Sequence, residues 1–336
     1  MKIDPCHSSI NSARISRRTM LAKSATGALG LALFGPAAVR AANNPMRKVL
    51  FFSKSSGFEH SSIKRKGDEL SFAENILKEL GPKHGIDFTF SKDGGIFTPE
   101  SIAKFDAFFF YTTGNLTTPG TDKNPPMSAE GKAAFLDAIK KGKGFIGTHS
   151  ASDTFHTNEP VEESDRSARY QNYGDKADPY VRMLGGEFIK HGPQQKATMR
   201  VVDPQFPGFK DAGANFELNE EWYSLKDFSD NLHVLLVQET AGMKGEEYDR
   251  PSYPATWARM HGSGRVFYTS MGHREDVWTN PLFQEILFGG IAWAVRNIDA
   301  DVTPNLKKAA PQGYKLPPKP APVEKKAAKT NPSQRK

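Results

Sequence analysis

Three histidines stand in the segments that leave apolar runs: His60 in Gly57-Phe58-Glu59-His60, His149 in Gly147-Thr148-His149-Ser150-Ala151, and His273 in Met271-Gly272-His273. An imidazole with an unperturbed pKa of about 6.5 can take up and return a proton near neutral pH, and its neutral ring nitrogens also ligate borderline metal ions. Glu221 adds a carboxylate that can orient an imidazole or complete a nitrogen and oxygen ligand set for zinc or a similar divalent ion. No His-x-His or His-x-x-x-His pair anchors such a set. Each histidine by itself also reads as a polar group hydrogen-bonded into its loop. Residues 147–151 have the small-x-X-x-small form of a nucleophile elbow, but the central residue is His rather than Ser or Cys, which removes most of the case for acyl transfer.

The elements that must carry these residues alternate. Lys48–Ser53 is a continuous apolar run of the kind buried on both faces of a parallel sheet. Leu70, Ala73, Ile76, Leu77 and Leu80 fall at helical spacing before the stop Gly81-Pro82. Ile86–Phe90, Phe105–Tyr111 and Phe145–Thr148 read as further strands, and Ser128 caps a helix with Glu130 in its first turn and Phe135, Leu136 and Ile139 inside. This order predicts an α/β fold with a doubly wound, mostly parallel sheet of flavodoxin-like type. Ligands of such sheets bind beyond the carboxyl ends of the strands, where Phe58, Thr113 and Asp153 join the three histidines as candidate lining residues. The second half looks more irregular, with strand-like pieces at Ala197–Val202, His233–Val237 and Arg265–Ser270, and is expected to form an insertion over the sheet. Asn280 caps a closing helix with Pro281 in its first position.

Both chain ends distort the charge. Ser16-Arg17-Arg18-Thr19-Met20-Leu21-Ala22-Lys23, followed by an apolar stretch ending in Val39-Arg40-Ala41, reads as a twin-arginine export signal over 1–41 and places the chain in the periplasm or otherwise outside the cytoplasm. Cys6, the single cysteine, leaves with that signal. The mature chain then has no thiol, which excludes cysteine nucleophiles, thiolate metal sites and c-type haem attachment. Residues 301–336 read as a disordered Pro-, Lys- and Ala-rich tail. Over 42–305 there are 30 basic and 36 acidic residues, so the overall net charge of +7 belongs to the ends. The balance gives no basic face for nucleic acid, and no stable membrane insertion is expected after cleavage.

Several stretches, taken in order, resemble the ThuA-like (trehalose utilisation) family. They are Gly57–Ile63, Gly144–Ala151, Leu184–Phe188 with His191, Glu220–Tyr223, Pro254–Trp257, and Gly264–His273 with Trp278. The resemblance spans 42–300 and implies a fold similar to class I glutamine amidotransferases, with His149 where those enzymes hold their nucleophilic cysteine, so amidotransferase chemistry is not expected. Two departures are Glu220, where the family usually has Asp, and Phe206-Pro207, where it often has His-Pro. The family's association with disaccharide catabolism implies a small carbohydrate ligand, trehalose or a related or 3-keto disaccharide. On that reading His149, His273 and Glu221 supply base, acid and orienting carboxylate for an isomerase or lyase. His60, Phe58, Thr113, Asp153, His191, Trp222, Tyr223 and Trp278 contact the sugar. A non-catalytic carbohydrate-binding module and a metal-dependent hydrolase remain as alternatives.

Overall fold

The computed structural model describes residues 45–157 and 167–317. Residues 1–41, read above as an export signal, and residues 318–336 of the expected tail lie outside the described residues. Eleven strands are present among the described residues: β1 Arg47–Phe52, β2 Ile86–Ser91, β3 Ala107–Phe110, β4 Gly144–Thr148, β5 Glu187–His191, β6 Gln195–Val201, β7 Asn215–Glu220, β8 Tyr223–Lys226, β9 His233–Glu239, β10 Tyr253–His261 and β11 Gly264–Thr269. Nine form one sheet in the order β2-β1-β3-β4-β11-β10-β9-β6-β7, while β5 and β8 pair apart from it. From β2 to β11 all pairings are parallel, and from β11 to β7 all are antiparallel.

The apolar runs explain the parallel part. Alternate residues of β1 face opposite ways: Val49 and Phe51 pack with Ala73 and Leu77 of the helix Phe72–Leu80 and with the helix Pro281–Ala294. Leu50 and Phe52 pack on the other face with Phe97, Phe135 and Ile139. A strand covered on both sides must be apolar throughout. The expected caps are found, Ser128 accepting from Gly131 N and Asn280 from Leu282 N and Phe283 N. Ser71 and Glu74 form a reciprocal capping box, fixing where the first helix begins.

The second half departs from the expected covering insertion. β6, β7, β9, β10 and β11 continue the main sheet, while the turns over 167–178, the helix Pro179–Leu184 and the β5–β8 pair stand outside it. β6 and β7 end the sheet half-exposed, with mixed polar and apolar residues, so neither a continuous apolar run nor a clean alternation marks them in the sequence.

Residues 301–317 correct the assignment of the whole 301–336 stretch to a disordered tail. Leu306, Ala309 and Ala310 are buried, and the Asn305 side chain bonds both the N–H and the C=O of Val234 like a neighbouring strand. Arg250, itself buried, donates to the carbonyls of Gly313 and Lys315. Lys and Pro are frequent over 301–336, but the apolar residues Leu306, Ala309 and Ala310 pack.

No helix among the described residues is long and apolar enough to cross a membrane.

Candidate functional site

The strand order 2-1-3-4 reverses direction between β1 and β3, and the crevice beyond their carboxyl ends is where such sheets bind ligands. His60 lies in the loop after β1, His149 starts the turn after β4, His273 follows β11, and Glu221 links β7 to β8. The four side chains meet, each offering one ligand atom, all within 4.8 Å of one another. His149 Nε2 lies 3.2 Å from His60 Nε2, 3.3 Å from His273 Nδ1 and 3.6 Å from Glu221 Oε2. Glu221 Oε2 is 3.2 Å from His273 Nδ1, and its Oε1 is 3.4 Å from His191 Nδ1.

The backbone after β11 is the hub that holds these loops together. The Ser270 carbonyl lies 3.2 Å from His149 Nδ1, the Met271 carbonyl accepts from Thr148 Oγ1, and the His273 carbonyl accepts from Ser62 Oγ, beside His60. Glu220, fully buried, accepts from the N–H groups of Gly272 and His273 at one oxygen and from Glu221 N at the other. Burial pushes its pKa up to about 7, against the pull of these three N–H groups. His149 sits at φ +45°, unusual for a residue with a side chain, and Gly147 and Ala151 leave the room that this turn requires. Gly272 has φ +117°, and a Cβ there would stand 2.7 Å from Thr148 Oγ1. We therefore expect Gly272→Ala to cost about 1–3 kcal/mol of stability and to displace His273. An unchanged melting temperature would contradict this.

Burial and the neighbouring histidines hold His60 well below the ordinary imidazole value, and burial also lowers His149 against the opposing pull of Glu221. Burial would lower His273 too, but its hydrogen bond and charge contact with Glu221 raise it. Burial alone would raise Glu221, yet bonds to His149 and His273 hold it far below the usual carboxylate range. The centre thus pairs an ionised carboxylate with imidazole nitrogens.

The other sequence candidates divide into two groups. Phe58, 69% exposed, lies edge-on to His60 with ring centroids 5.0 Å apart, and the exposed His191 stands beside Glu221, so both border the opening. Tyr223 packs its ring 4.2 Å from that of His149. Trp222 and Trp278, expected to stack on a ligand, are instead fully buried: their indole N–H groups donate to the carbonyls of Gln195 and Gly272, and their faces belong to the core. Thr113, also buried, holds the His60 loop by donating to the Phe58 carbonyl and accepting from Gly57 N. It positions that loop and does not line an opening.

Asp153 opens onto a second charged cluster that the sequence reading missed. His156 lies between Asp153, at 2.6 Å, and Glu187, at 2.8 Å, and Lys226 reaches the other Glu187 oxygen at 3.0 Å. Burial lowers the His156 pKa, but the two carboxylates raise it to about 9. A pKa raised above the ordinary 6.5 contributes stability in full below about pH 6.5, and that stability is lost as pH rises towards 9. Urea unfolding should therefore show wild type exceeding His156→Gln by roughly 2–3 kcal/mol more at pH 6 than at pH 9.5. A gap independent of pH would refute the charged His156. Gln194 and Arg274, also missed, border the opening: Gln194 Nε2 is 2.9 Å from His273 Nε2, and Arg274 donates to Gln194 Oε1. The Gly147–Ala151 spacing and the strand exits marked the three histidines, whereas the contacts made between loops leave no local signal.

The fold and the centre define an α/β protein with a histidine and carboxylate site at the carboxyl edge of its parallel strands. The sequence model of the ThuA family, described as trehalose utilisation, matches residues 48–294, and the chain belongs to that family. Among solved structures it is similar to a putative ThuA-like protein from Bacteroides uniformis ATCC 8492, with 19% identity, a TM-score of 0.53, and coverage of 75% of this chain and 92% of that one. It is also similar to a putative ThuA-like protein from Parabacteroides merdae ATCC 43184, with 17% identity, a TM-score of 0.52, and coverage of 77% and 92%. These likenesses support the fold. No curated protein matches the chain.

Proposed function

We propose that the chain is an exported enzyme of disaccharide catabolism that acts on trehalose or a related sugar, with a 3-keto disaccharide as the substrate the site suits best. The observation that carries this reading is the convergence of His60, His149, His273 and Glu221 from four separate loops, in a chain of the trehalose utilisation family. A carbonyl at C3 of the sugar acidifies the C2 proton. A base that removes it leaves an enolate, which either reprotonates to an isomer or expels the C1 substituent, re-forming the C3 carbonyl as the C1–C2 double bond forms. Two groups are required, an electrophile at the carbonyl oxygen and a base at the adjacent C–H.

The geometry supports a division of these roles. The His149 side chain is fully buried and faces the other three residues, so it works within the centre, on the electrophilic side. His191 is the open imidazole: its Nδ1 lies 3.0 Å from the Gly192 carbonyl and 3.4 Å from Glu221, which turns Nε2 outward as the base. The exposed face of Phe58 offers a stacking surface for the sugar ring. Export rests on the paired arginines Arg17 and Arg18 and the apolar run after them.

Incubating trehalose, sucrose and their 3-keto derivatives with the protein in D2O tests the reading. Turnover of a 3-keto sugar is expected, with solvent deuterium at C2 or C3 of the product if the enolate reprotonates, or with release of the C1 substituent and loss of the C2 hydrogen if it eliminates. Turnover of unmodified sugar without exchange would make the protein a hydrolase, and saturable binding without turnover would make it a binding module.

A further inference from the structure

We propose that His60, His149, His273 and Glu221 form a tetrahedral site for one divalent first-row metal ion of the zinc class. This rests on the proposed function only in supplying the electrophile that reading calls for; the site itself follows from spacing. When a metal lies about 2.0–2.1 Å from each of four ligand atoms, the edges of the ligand tetrahedron measure about 3.3 Å. Four of the six edges here are 3.2, 3.2, 3.3 and 3.6 Å. The other two, which join His60 to His273 and to Glu221, stay within 4.8 Å, so a small inward movement of His60 closes the figure.

The hydrogen bonding agrees with this. The Ser270 carbonyl beside Nδ1 of His149 takes the proton on that nitrogen, leaving a lone pair on Nε2 at the centre. His60 Nε2 points at the centre, 3.2 Å from His149 Nε2, while its buried Nδ1 has no partner among the described residues, so the movement that closes the figure must also bring that N–H to an acceptor. Glu221 divides its oxygens, Oε2 inward and Oε1 towards His191. A carboxylate oxygen of Glu221 and the lone pair of His149 Nε2 thus converge on the same few ångströms. Three nitrogens and one oxygen with no thiolate suit zinc, and also cobalt, nickel or manganese, ahead of the harder calcium and magnesium.

One contact must change when metal binds. The Gln194 amide presents its nitrogen to His273 Nε2 and its oxygen to Arg274. A His273 that ligates through Nδ1 carries its proton on Nε2 and needs an acceptor there. Turning the Gln194 amide by half a turn supplies it, and Arg274 keeps its bonds to Asp276.

The test is isothermal titration of the chelator-stripped full chain with ZnCl2 alone, with metal analysis of the protein as purified. One equivalent of bound metal is expected. His149→Ala and Glu221→Gln should each weaken zinc at least about 100-fold, the metal-free melting temperature of Glu221→Gln staying near wild type, and His84→Ala, far from the centre, should change nothing. If neither zinc, cobalt, nickel nor manganese gives a one-site isotherm, or if the two variants bind as wild type does, the metal site is overturned, whatever the sugar assay shows. One equivalent of metal on a protein that turns over none of the sugars above would sustain the site and sink the proposed function instead. Should His149→Ala fail to fold, Glu221→Gln alone decides, because its amide keeps the side chain's shape and removes the charge.

Discussion

Replacing His149 with alanine is expected to lower kcat/KM on a turned-over sugar by about 10³-fold or more, equivalent to about 4 kcal/mol of transition-state stabilisation. The reason is position: His149 Nε2 has His60, His273 and Glu221 as its neighbours, so its loss opens the middle of the centre. The ring also packs against Tyr223, so some stability goes with it. Steady-state kinetics on the purified variant, with circular dichroism to confirm the fold, checks this. A folded His149→Ala protein with wild-type kinetics would leave the histidine a structural part only.

Ending the chain at Ala300 has the second large effect. The composition of the last 36 residues suggests that it would be harmless, and the packing says otherwise. Truncation uncovers the pocket that holds Leu306 and Ala309, leaves the Val234 backbone without Asn305, and strips the buried Arg250 guanidinium of two carbonyl acceptors. Burial of one leucine contributes about 1.5–3 kcal/mol, and an unsatisfied group hydrogen-bonded as a charge costs more than the usual 1–3 kcal/mol. We expect at least about 4 kcal/mol lost in urea unfolding. A chain ending at Pro317 should keep full stability, and equal stability of the two truncations would contradict the packing.

The legible parts of the fold were those whose cause is local. Phe108–Phe110 and Phe145–Ile146 had to be central strands because they are apolar on both sides, and Ser128 and Asn280 marked helix starts through their own side chains. β7 was not legible, since a half-exposed edge strand mixes Glu, Asn and Phe without a clean period. Within the candidate site, the strand exits pointed to His60, His149 and His273, and the structure brings their side chains together because a parallel sheet gathers such ends on one edge. Trp222 and Trp278 misled because an indole at a strand end serves the core as readily as a ligand. The role of Glu220, noted only as a departure from the family, and the whole of His156 were not legible, because they depend on backbone N–H groups and carboxylates distant in sequence: Gly272 is 52 residues from Glu220, and Glu187 is 31 from His156.

The central claim is that the four converging side chains work as one centre, and a double-mutant cycle between His149 and His273 tests it most directly. Residues that act as a unit are disabled by the first loss, so His149→Ala, His273→Ala and the double variant should fall to about the same residual kcat/KM, within roughly tenfold. Losses that multiply, the double variant showing the product of the two single effects, would mean that the two histidines act independently, and the single centre drawn from their 3.3 Å contact would be wrong.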